Sequence, residues 1–132
     1  MTVPIQSQIY NPITGVFGTG QVQIFGPGQS GTWYVPTGIG KCRVRLWGGG
    51  GSGSTNGAPG GGFAMKTIYD LSGVTSVSVT VGNAAASNAT GGTSSFGSYV
   101  SATGGNASAA QAVGVGVGGD INASGGQSTT PT

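Results

Sequence analysis

The sequence predicts an all-β fold: a small glycine-rich, β-sandwich-like domain with long Gly loops, an extended N-terminal leader and a low-complexity C-terminal tail. Three observations lead there. Val and Ile together number 20 against 2 Leu, and β-branched side chains suit a pleated strand better than a helix. Several short runs alternate polar and apolar residues, the period of a half-buried strand. Those runs are punctuated by 30 Gly and 6 Pro in 132 residues, and both residue types interrupt helices. The length suits one domain. Disorder, the other reading of so much glycine, usually accompanies high net charge, and the formal charge here is +2.

Residues 1–29 carry Pro4, Pro12 and scattered Ile and Val, and read as an extended leader or attachment segment ending in a short strand at 21–25. The domain proper is expected over 30–105. Residues 32–35 put Trp33 and Val35 on one face. The clearest strand is 41–47, with Cys42, Val44 and Leu46 facing one way and Lys41, Arg43 and Arg45 the other. A glycine-rich loop from Gly48 to Gly62 follows, then strand patterns at 63–71 and 76–81, and one or two short strands within 93–103. No segment reads as a convincing helix. Residues 106–132 are rich in Gly, Ala, Ser and Thr and read as a looser tail, as though cut from a longer polypeptide.

The charge inventory excludes much chemistry. Only 5% of residues are charged, there is no His, and the acids are Asp70 and Asp120. General acid–base catalysis needs His or paired carboxylates, and zinc sites need clustered Cys, His or carboxylates. No catalytic residue, cofactor or metal ligand is therefore expected, and the chain is read as a non-enzyme. Four basic residues supply too few phosphate contacts for nucleic-acid binding to be a main role. The single Cys42 has no partner within the chain, which fits a reducing cytosol or a bond between chains. Neither a signal peptide nor a membrane-spanning apolar run is evident, so no membrane insertion is expected.

Several patterns carry two readings. Gly48, Gly50 and Gly53 satisfy G-x-G-x-x-G after a strand, but no helix can follow, so the pattern reads as chance in a glycine-rich chain. Lys41, Arg43, Arg45 and Lys66 form one patch if strands 41–47 and 63–70 pair. That patch either attracts an anionic surface such as phosphorylated sugars or is a solvated face that discourages aggregation. Trp33, Tyr34, Trp47, Tyr69 and Tyr99 either stack on sugars or fill a core short of large side chains. Val113 to Gly118 alternates Val and Gly. The bare face of Gly114, Gly116 and Gly118 is either a contact surface between chains, where another backbone approaches closely, or part of a flexible connector.

The order of motifs resembles a known family. Ser30-Gly31-Thr32-Trp33-Tyr34-Val35-Pro36 leads into Cys42-Arg43-Val44-Arg45-Leu46-Trp47-Gly48-Gly49-Gly50-Gly51. Gly61-Gly62-Phe63-Ala64, Val77-Ser78-Val79-Thr80-Val81-Gly82, Gly91-Gly92-Thr93-Ser94-Ser95-Phe96-Gly97 and Ala102-Thr103-Gly104-Gly105 follow. This set resembles the glycine-rich domain of bacteriophage and prophage tail fibres and related virion proteins, over about residues 30–105. The resemblance implies a virion component assembled in the host cytoplasm and attaching to host bacteria through a surface glycan or outer-membrane component. It implies a homotrimer, with other tail proteins held through residues 1–29. Receptor contacts would come from the Gly-rich loops at 48–62 and 82–92, the basic residues and Tyr99. The alternative is a purely structural virion part: a fibre shaft, an adaptor or a capsid decoration.

Overall fold

A computed structural model describes residues 8–9, 22–53, 57–107 and 112–128. Every regular element among them is a strand: β1 (Gln8–Ile9), β2 (Val22–Gln23), β3 (Gly31–Tyr34), β4 (Cys42–Trp47), β5 (Phe63–Ile68), β6 (Ser76–Thr80), β7 (Ser94–Phe96), β8 (Val100–Ala102), β9 (Gly116–Val117) and β10 (Ile121–Ala123). They form a five-stranded sheet ordered β3-β6-β7-β8-β9, a three-stranded sheet ordered β10-β5-β4, and a β1-β2 ribbon. All pairings are antiparallel. Residues 1–7 and 10–21 of the 1–29 leader lie outside the described residues.

The two larger sheets bury their alternating apolar faces against each other. Leu46, Ala64 and Ile68 come from the three-stranded sheet; Val77, Val79, Phe96, Val100 and Ala102 come from the five-stranded one. In β6 the pattern is clean, with Val77 and Val79 buried between exposed Ser76, Ser78 and Thr80. Trp33 packs on Phe96 with ring centroids 5.5 Å apart, so this aromatic serves the core. Glycine takes positive φ in two sharp turns: Gly73 at 75° where the chain crosses from β5 in one sheet to β6 in the other, and Gly97 at 50° in the β7–β8 hairpin.

Beyond one end of this sandwich the strands continue as segments rich in glycine and small residues. The segments 48–52, 59–62, 82–85, 89–92, 103–106, 112–115 and 124–126 each prolong a strand or lead into one. Each keeps its strand neighbour in register. After the Trp47↔Phe63 pair, Gly48 N–H donates to the Gly62 carbonyl at 2.9 Å and Gly51 N–H to that of Pro59 at 3.0 Å. The 103–106 and 112–115 segments do the same, Thr103 donating to Val115 and Asn106 to Ala112.

A second set of bonds crosses between the sheets. Gly49 and Ser52 donate to Gly92 and Ala89, Gly105 to Gly49, Ala85 to Gly50, Gly62 to Thr103, Gly114 to Gly60 and Gly125 to Gly114. The 48–52 segment is thereby bonded to four others. A β-strand offers hydrogen bonds in one plane only. Bonding recurs here every third residue: 48 and 51 reach one neighbour, 49 and 52 another. That is the period of the extended three-residue helix of the polyproline II type, whose polar groups point in three directions and need outside partners.

Glycine makes this possible. Sheets with side chains between them stand about 10 Å apart; here a β-carbon on Gly48, Gly49, Gly61, Gly104 or Gly114 would come closer than 3.0 Å to another segment's backbone. None of these has positive φ, so close approach, not backbone freedom, requires them. The bundle is a core built of backbone, and its cross-bonds pair amides and carbonyls that burial would otherwise leave unsatisfied.

Two expectations change. The glycine tracts between strands are aligned, mutually bonded segments. The 106–132 stretch, expected as a looser tail outside the domain, supplies β9, β10 and the 112–115 and 124–126 segments across its described residues. Its small residues carry little hydrophobic signal but fit where backbones must touch.

Candidate interaction surface

The outward face of the three-stranded sheet gathers the basic side chains of β4 with exposed rings. Opposite partners in an antiparallel ladder share a face. Arg43 stands opposite Thr67, Arg45 opposite Met65, and Trp47 opposite Phe63. On the far side of β5, Ile121 pairs Met65 and Ala123 pairs Phe63. Trp47 is 61% exposed and its ring centroid lies 5.1 Å from that of Phe63. Lys41 precedes β4 with the alternation of Arg43 and is exposed; Tyr69 follows β5 with the alternation of Thr67 and is 69% exposed. The cations therefore lie between aromatic rings at the two ends of the strand pair.

The opposite surface of the sandwich is chemically different. The outward residues of β3, β6, β7 and β8 are Thr32, Tyr34, Ser76, Ser78, Thr80, Ser95 and Ser101, with no charge among them. Both acids hold backbone amides: Asp120 Oδ2 accepts from Thr67 N–H at 2.7 Å, and Asp70 Oδ1 from Ser72 N–H at 2.8 Å. Hydrogen bonds from Ser72 hold the Asp70 carboxyl below its ordinary range.

Lys66 does not join this face. The strands pair as the four-cation patch requires, but the register puts Lys66 opposite Val44, on the side of Cys42 and Leu46. Its Nζ donates to the Gly118 carbonyl at 2.9 Å. Tyr99 sits in the β7–β8 turn, its ring centroid 6.2 Å from Phe96, beside a shallow depression it shares with Val117 and Gly118. It is remote in sequence and face from the β4 cations.

The glycines proposed as a surface between chains are used within this one. A β-carbon on Gly114 would strike the backbone of Thr103 and Gly62, and one on Gly116 the Phe63 carbonyl. Gly118 adopts φ of 77° in the turn before β10. Another backbone does approach closely, as a bare glycine face allows, but it belongs to the same chain. Cys42 is half-buried, and burial pushes its thiol up to about 11, which suppresses the thiolate that reactions need.

Sequence reasoning found Lys41, Arg43 and Arg45 and missed the apolar half of their face: Met65, Ile121 and the Trp47–Phe63 pair. The alternation of β4 already assigned Trp47 to the arginine side; its partners depended on a register that only pairing reveals. No family model, curated protein or solved structure matches this chain.

Proposed function

We propose that the chain is a non-enzymatic component of a bacteriophage tail fibre or tail tip that contributes to attachment to the host bacterial surface. The motif order over residues 30–105 suggests this class of protein. The observation that carries attachment is the segregation of charge: Lys41, Arg43 and Arg45 share one sheet face with Trp47 and Tyr69, while the other sheet's outer face is neutral. A folding role alone does not require cations and exposed rings on the same face. The adjoining glycine bundle gives that face a stiff support, since its backbone groups bond in several directions. Assembly as a homotrimer, docking to other virion proteins through residues 1–29, and location in the virion belong to the same proposal.

The bundle also favours a second reading, a structural virion part such as a shaft, adaptor or capsid decoration. Binding of the folded, labelled chain to a panel of bacterial strains separates the two. Saturable, strain-selective binding that extracted surface glycans compete is the result expected of an attachment protein. Folded material that binds no strain would overturn attachment and leave the structural role.

A further inference from the structure

We propose that the outward face of the three-stranded sheet is a binding track for an anionic polysaccharide, with Lys41 and Arg45 reading its carboxylate or phosphate groups and Trp47 and Tyr69 stacking on its sugar rings. This rests on the attachment reading and names the ligand class for it. The alternation of β4 sets Lys41, Arg43, Arg45 and Trp47 on one side at steps of about 7 Å, so the track runs for about 20 Å. A chain polymer with repeated charges matches that spacing better than a compact ligand does.

The chemistry of each position fits. A guanidinium presents a planar fork that takes a carboxylate or phosphate through two parallel hydrogen bonds. No described side chain bonds to the Arg45 guanidinium. Asp120 meets the sheet at Thr67, in the Arg43 row, so Lys41 and Arg45 carry most of the attraction. The indole of Trp47, braced by Phe63, and the exposed Tyr69 ring offer electron-rich faces to the weakly positive C–H groups of sugars. A nucleic acid is the other polyanion with flat rings, but tight binding to it draws on many more cations.

The test measures binding of the full chain to alginate (a polyuronate), to a poly(glycerol phosphate) teichoic acid, to neutral dextran and to oligothymidylate. Two double variants with equal change in net charge are compared: Lys41→Gln with Arg45→Gln on the track, and Ser76→Glu with Ser78→Glu on the neutral face. Both are exposed pairs, and thermal melting checks that each is folded. Alginate, teichoic acid or both bind and dextran does not; whichever binds identifies carboxylate or phosphate as the group read. The track variant loses about tenfold or more in affinity, about 1.4 kcal/mol, and its salt dependence becomes shallower. The neutral-face variant stays within about twofold, less than 0.5 kcal/mol.

Equal losses in both variants, dextran binding as well as the polyanions, no polyanion binding at all, or oligothymidylate binding tightest would each overturn the inference. The strain panel distinguishes the two proposals. Track variants that still bind cells as well as the parent sink the polysaccharide track and leave attachment standing. A parent chain that binds polyanions but no cell sinks attachment.

Discussion

Gly48 stands against Thr103 with no room for a β-carbon between them: one built on Gly48 would overlap the Thr103 carbonyl oxygen. Gly50, two residues on, faces open space within the same tract. The contrast separates glycines that the bundle needs from one that merely lies in it. Gly48→Ala or Gly104→Ala should destabilise the protein by about 3 kcal/mol or more, because the obstacle is another backbone that cannot turn aside. Gly50→Ala should be neutral or stabilising by up to about 1 kcal/mol, since it restricts the unfolded chain without strain. Urea unfolding of the three variants reads both effects.

Ser94 joins sandwich to bundle. Its hydroxyl donates to the Trp47 carbonyl at 2.6 Å and accepts from Gly82 N–H at 2.9 Å, tying β4 to the end of β6 from a position 5% exposed. Ser94→Ala leaves both backbone groups short of a partner, and the expected loss is about 2–6 kcal/mol, at about 1–3 for each orphaned group. The melting temperature of this variant checks it.

Cys42 should react slowly. With its thiol raised from 9.0 to about 11 by burial, little thiolate is present at pH 8, and alkylation of the folded protein should lag far behind that of the unfolded chain. The linked effect on stability has a definite sign. The folded state holds the proton more tightly than the unfolded one, so this contribution is whole below pH 9 and is lost as pH rises towards 11. Stability measured from pH 8 to 11 should fall more steeply in the parent than in Cys42→Ala.

A chain ended at residue 105 should fail to fold cooperatively. It lacks β9 and β10, and it removes the partners of Gly60 and Thr103 in the bundle. Loss of a sigmoidal urea transition is the expected outcome; a stable truncated domain would mean the last segments are appended rather than built in.

These elements differ in how plainly the sequence announces them. β4 and β6 are legible because alternating residues differ in polarity, and burial follows that alternation. β10 is not, because Ile121, Asn122 and Ala123 are all exposed and no period separates two faces. The bundle is hidden for a related reason: a three-residue period leaves no trace in a run of identical glycines. The side on which Lys66 falls was undecidable from composition, since a shift of one residue in the β4–β5 register exchanges the faces. Lys41, Arg43 and Arg45 were legible as a group because they lie on a single strand.

Amide hydrogen exchange followed by NMR tests the glycine bundle most directly. In the folded chain the amides of Gly49, Gly62, Gly91, Gly105 and Gly114 each donate to another segment, so they should be protected to the same degree as those of the central strands β5 and β7. Exchange of these glycines at the rate of an unstructured peptide, with the strands still protected, would contradict the account and return the tracts to loops.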